Sequence, residues 1–184
     1  GTESVTLNTD QIKDGNILFS SDQCEVQMKM SWNKQSMPKS GHLGLRILSS
    51  YSEKDVGTLI YFDFEQQACV LDRKNSRPSH SAAGYNLEQI VVDPCWFNDT
   101  DIESGIMKMV VFVDHSVVEA FFLEGLANIN GRVYPLHDTD INISVYYSEN
   151  LATHFLPDTI QLDFFSIASI WTTHPSTHSS VNNP

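Results

Sequence analysis

Asp114 and Glu119 are the only close acids in an otherwise apolar stretch, Val110-Val-Phe-Val-Asp-His-Ser-Val-Val-Glu-Ala-Phe-Phe122. A retaining glycosidase uses two carboxylates about 5 Å apart, one of them with a raised pKa. The same groups also suit sugar recognition. Carboxylates accept hydrogen bonds from vicinal hydroxyls, arginine donates to hydroxyl and ring oxygens, and an aromatic ring covers the apolar face of a sugar. On that reading Asp114 and Glu119 are the acceptors, and Trp96 offers a ring. A structural reading competes with it. There Asp114 caps a tight turn through Ser116, and Glu119 forms an ion pair with Arg46 or Arg132.

The positions of these acids depend on how the stretch folds. Two runs of β-branched and aromatic residues flank Asp114-His115-Ser116, which predicts a β-hairpin. A two-residue turn at His115-Ser116 pairs Asp114 with Val117, and Phe112 with Glu119. Alternation then puts Val110, Phe112, Asp114, Val117, Glu119 and Phe121 on one face. Val111, Val113, Val118, Ala120 and Phe122 take the other. A hairpin with one solvated face alternates apolar and polar residues. Here both faces are largely apolar, so the acidic face is expected to be covered by loops, a ligand or another domain.

The rest of the chain reads as short strands. Cys24, Val26, Met28, Met30 and Trp32 alternate strictly with polar residues, as in a strand with one wet face. Residues 43–48 form the next strand. Residues 58–64 and 68–72 make a hairpin, and 88–92 a short strand. Residues 127–134 stop at Pro135, 141–147 alternate again, and 160–171 supply a last strand or two. Residues 1–20 are a lead-in with one strand, residues 21–172 the folded module, and residues 173–184 a disordered tail. Ten to twelve short strands with frequent turn signals predict an all-β, two-sheet antiparallel sandwich of jelly-roll or lectin-like type. No internal repeat of the propeller kind is visible.

The formal charge of -12 over 184 residues argues against nucleic acid and against an anionic membrane surface as partners. No apolar run approaches the roughly 18 residues of a spanning helix. The chain starts at Gly1 and shows no secretory signal, so a processed chain or a piece of a longer one is expected. Cys24, Cys69 and Cys95 leave two readings open: one disulfide plus a thiol, or three buried thiols. Asn98 and Asn142 begin glycosylation sequons, and alternation points Asn142 outward with Ser144. Trp32 lies on the apolar side of its strand, where a core role is favoured over a sugar contact. His137-Asp138-Thr139-Asp140 reads as a turn rather than a calcium site. His174 and His178 are given no role, and no metal or cofactor is expected.

The central hairpin, Val113-Asp114-His-Ser116-Val-Val118-Glu119-Ala-Phe121, followed by Arg132-Val-Tyr134-Pro135, resembles the C-terminal β-sandwich of glycoside hydrolase family 32. That family comprises invertases, inulinases, levanases and fructosyltransferases. Gly44-Leu-Arg46-Ile resembles an early strand of it. Tyr61-Phe-Asp63 with Leu71-Asp72-Arg73-Lys-Asn-Ser76 resembles one of its hairpins. The likeness runs from about Cys24 to Trp171. It implies two stacked sheets of about six strands each, and it places the family's chemistry elsewhere, in an N-terminal propeller. That propeller's Asn-Asp-Pro-Asn-Gly, Arg-Asp-Pro and Glu-Cys motifs are not found in this sequence. Fructan-binding modules related to the sandwich use acids and arginines, which implies a role for Asp114, Glu119, Arg46, Arg132 and Glu25.

The leading expectation is a non-catalytic module that binds β-fructosyl or similar sugars, secreted or vacuolar. One alternative is a structural C-terminal domain of an invertase-like β-fructofuranosidase, in contact with a catalytic propeller or a second copy of itself. The other is a lectin for a sugar other than fructose.

Overall fold

In the strands of this chain apolar residues recur at every second position, and each such stripe needs a facing layer to bury it. The computed structural model describes residues 1–32, 37–53, 55–76, 88–91, 105–135, 137–151 and 155–167. Within them lie β1 (Thr2–Asn8), β2 (Ile17–Ser20), β3 (Gln23–Ser31), β4 (His42–Ser49), β5 (Thr58–Asp63) and β6 (Ala68–Asp72). They continue with β7 (Glu88–Val91), β8 (Ile106–Asp114), β9 (Val117–Phe122), β10 (Ala127–Arg132), β11 (Asn142–Tyr147) and β12 (Thr159–Ser166). A front sheet has the order β1-β12-β3-β8-β9-β10, and a back sheet the order β2-β11-β4-β5-β6-β7. Every pairing is antiparallel.

The core lies between the sheets. The front sheet contributes the inward residues of β3, β8, β9 and β12, among them Met28, Val111, Phe122 and Phe164. The back sheet contributes Leu45, Ile60, Phe62, Leu71 and Val145. Trp32 belongs to this core, and its indole N–H donates to the Phe155 carbonyl at 2.9 Å. Cys24 and Cys69 are free buried thiols in opposite sheets, while Cys95 lies outside the described residues.

Residues 1–20 do more than lead in. β1 closes one edge of the front sheet against β12, and β2 closes one edge of the back sheet against β11. The residues expected to form the tail lie outside the described residues. On the back sheet Gly44 sits in register between Tyr61 and Tyr146, whose rings approach to 5.5 Å. A Cβ at Gly44 would collide with the Ile60 carbonyl and lie 2.6 Å from the Tyr61 Cα, so only glycine fits under this close strand packing.

Candidate functional site

The hairpin of β8 and β9 has the expected register: Asp114 pairs with Val117, and Phe112 with Glu119. His115 takes a positive φ of 52°, a conformation common at tight hairpin turns. The apolar face of the hairpin enters the core. The acidic face is the outer surface of the front sheet, and Phe112 and Val117 there are 36% and 42% exposed. Among the described residues this face is therefore partly open to solvent.

Register across the front sheet brings residues from four strands into one row. Phe165 stands beside Glu25, Glu25 beside Phe112, and Phe112 beside Glu119. Aromatic rings and carboxylates thus alternate at one-strand spacing, roughly 4.8 Å. Phe112 meets Phe121 edge-on with centroids 6.0 Å apart. A groove of about 420 Å³ runs alongside, lined by Lys108, Val110, Phe112, Phe121, Glu124 and Gly125. A smaller one of about 190 Å³ continues it across Gln27, Lys29, Gln161 and Asp163. The charges on this face are tied to neighbours. Lys108 bonds Glu124 at 2.7 Å, the Gln27 amide donates to Glu25 at 2.6 Å, and the Gln161 amide donates to Asp163 at 3.1 Å.

The two hairpin acids share this face but not their partners. Glu119 accepts from the Asn128 amide at 3.1 Å and forms no ion pair with Arg46, which lies in the other sheet. Asp114 does not cap through Ser116. It accepts from the Gln23 amide and meets His115 Nδ1, each at 2.9 Å. The Gln23 bond, then the His115 bond, hold its carboxyl below the ordinary 3.8. A glycosidase acid needs the opposite shift. The His115 ring bridges acids, with Nε2 3.6 Å from Asp22. Its pKa is held above 6.5, first by the Asp114 bond.

Arg132 occupies the outer row of Asp114 and Val117, at the β10 end, and its carbonyl accepts from Arg73 Nη1 at 2.9 Å. Arg46 lies on the outer surface of the back sheet, buried, 3.6 Å from Asp14, with its guanidinium 5.8 Å from the Tyr146 ring centroid. The anticipated constellation is thus split. Asp114, Glu119, Glu25 and Arg132 share one outer face, and Arg46 belongs to the opposite one. Trp96 and Asn98 lie outside the described residues. Asn142 is 8% exposed; its amide nitrogen donates to the Ser49 carbonyl and its oxygen accepts from Ser20. In the 137–140 turn Asp140 accepts from the His137 backbone at 3.0 Å.

Alternation puts Phe112 and Phe121 on the acidic face, and the structure sets their rings beside the acids. Tyr51 stands exposed in a Ser-rich loop that offers no periodic signal.

Fold and face together define a two-layer antiparallel β-sandwich with an open acid-and-aromatic sheet surface. Among the described residues its hairpin carboxylates are separately engaged rather than coupled. The chain matches the family described as glycosyl hydrolases family 32 C terminal over residues 2–163, and it belongs to that family. The matched domain is the non-catalytic one of these enzymes. An extracellular exo-inulinase of Aspergillus awamori is 23% identical over 145 residues, covering 79% of this chain and 24% of its own length. An extracellular exo-inulinase of Aspergillus niger is 22% identical over 148 residues with the same coverage. The chain therefore spans about a quarter of the length of these curated relatives. Among solved structures, the A. awamori exo-inulinase superposes with a TM-score of 0.67 at 19% identity, covering 91% of this chain and 29% of the other. Fructan 1-exohydrolase IIa of Cichorium intybus gives 0.62 at 18% identity, covering 90% and 35%. No helix among the described residues is long and apolar enough to cross a membrane.

Proposed function

We propose that this chain is a carbohydrate-binding module of a family 32 protein, and that it holds β-fructosyl-containing sugars on the outer face of the front sheet. The row of Phe165, Glu25, Phe112 and Glu119 carries this reading. Rings cover apolar sugar faces, carboxylates accept from hydroxyls, and the flanking groove offers room beside both. Its carboxylates already accept from neutral side-chain amides, and such acceptors suit the hydroxyls of a neutral ligand. The relatives named as exo-inulinases and a fructan exohydrolase supply the sugar class, and the exo-inulinases named as extracellular support secretion. Affinity is modest, because an open face buries little of a sugar. Native electrophoresis in gels containing inulin or levan tests the reading. Retardation that Phe112→Ala and Glu119→Gln both reduce supports it. Unretarded migration in both gels sinks it, and binding to other glycans alone moves the module to the lectin class.

A second reading has its own support. Phe112 and Val117 leave apolar surface open on this face, as a docking surface for a catalytic domain or a second copy would. Sedimentation of the chain separates the two. A dimer broken by Val117→Lys, with no fructan retardation, favours docking.

A further inference from the structure

We infer that the back sheet carries a second, separate site: a pocket for one neutral, sugar-sized polyol, built on Arg46 and Tyr51. The pocket holds about 240 Å³ and is lined by Gly15, Ile17, Arg46, Tyr51 and the hydroxyl-bearing Ser49, Ser50, Ser52 and Ser144. That is below the roughly 300–1,000 Å³ of pockets for drug-sized ligands, so one ring fits and two do not.

Its walls are built. The Arg46 side chain is only 8% exposed, anchored between Asp14 and the Tyr146 ring. Its stem passes Gly57, where a Cβ would lie 3.1 Å from the Arg46 Cγ. Ser49 is fixed by a reciprocal pair of bonds with Asn142, at 3.0 and 3.1 Å. Ser50 Oγ accepts from the backbone N–H groups of Ser52 and Glu53, each at 3.3 Å, which orders the loop carrying Tyr51. Tyr51 itself is 86% exposed. It packs on little of its own fold, yet stands at the rim of a hydroxyl-lined pocket.

The charge pattern selects the ligand class. A lone buried arginine favours an anion. Here Asp14 offsets the guanidinium, and the chain carries a formal charge of -12. A phosphate or carboxylate would meet repulsion that a neutral polyol does not. The guanidinium donates to hydroxyl oxygens, serine hydroxyls both donate and accept, and the tyrosine ring covers an apolar ring face. The pocket opens on the side of the sandwich away from the fructan face, so the two sites operate independently.

Titration of the ¹⁵N-labelled chain with fructose, sucrose and glucose, each alone, tests this, with sulfate as the anion probe. At least one sugar should shift the amide signals of residues 46–52 and Ser144. Tyr51→Ala should weaken that sugar's binding roughly two- to tenfold, the range of an aromatic stacking contact. Tyr51→Phe should restore it, and the melting temperature should stay unchanged in both. Inulin retardation should persist in Tyr51→Ala, so failure of the front-face reading shows up separately, as retardation that Phe112→Ala leaves intact. The inference is overturned if none of the three sugars moves these signals, if Tyr51→Ala binds as the parent does, or if sulfate competes with the sugar.

Discussion

Phe112 and Phe122 stand on the same hairpin and differ in which face they serve, so the same truncation at each should have different consequences. Phe122 is fully buried in the core. Phe122→Ala removes its transfer energy and leaves a closed cavity, costing ~3–5 kcal/mol. Phe112 keeps 36% of its surface exposed. Burying about two-thirds of a side chain worth ~1.5–3 kcal/mol gives ~1–2 kcal/mol, to which the edge-on contact with Phe121 adds ~0.5–1.5 kcal/mol. No sealed cavity forms, because the site opens to solvent. The expected gap is therefore ~1.5 kcal/mol between two identical substitutions. Urea unfolding followed by tryptophan fluorescence, to which buried Trp32 contributes, measures both, with unchanged m-values as the sign that two-state behaviour holds. Phe112→Ala should fold and lose inulin retardation. Phe122→Ala should be the one that falls apart. Equal losses, or a larger loss at Phe112, would refute the register, since a slip by one residue exchanges the two faces. A folded Phe112→Ala chain with full retardation would refute the platform instead.

Gly44→Ala forces β4 and β5 apart against backbone atoms that cannot rotate away, so it should cost ~3 kcal/mol or more in a thermal or urea melt. The His115 titration midpoint, followed by NMR, should fall towards 6.5 in Asp114→Asn, because the Asp114 bond is the main cause of its rise. The sign of the pH dependence follows. The raised His115 contributes fully below 6.5, and its contribution disappears as pH rises through the higher folded value. The lowered Asp114 contributes above 3.8, and its share is lost as pH falls through the lower folded value, so the pair supports the hairpin turn between those limits. Burial pushes the Cys24 thiol up to about 11 and the Cys69 thiol up as well, so neither should react with iodoacetamide until the sandwich opens. Rapid alkylation of the folded chain at either position would contradict the buried placement.

Strand positions were legible because period-two alternation and turn residues are local signals. The pairing of Asp114 with Val117 followed from one tight turn. Assignment of strands to sheets was not legible. Arg46 and Glu119 both point outward, and an outward residue looks the same in either sheet. Only the long-range pairings of β4 with β11 and of β8 with β3 set them on opposite sides. Asn142 shows a related limit: alternation gives a direction but not burial, and Asn142 bonds Ser20 of β2 and the Ser49 carbonyl. That residues 1–20 hold two strands rather than one was not legible, because Thr2–Asn8, at the sheet edge, is mostly exposed and carries little apolar pattern. The hairpin's second apolar face has a different status. Val111, Val113 and Phe122 satisfy the core, so folding places no demand on Phe112 or Val117 to be apolar. Apolar residues kept on an open face beside Glu25 and Glu119 depart from the pattern that stability alone would produce. Such departures concentrate where a surface has something to bind.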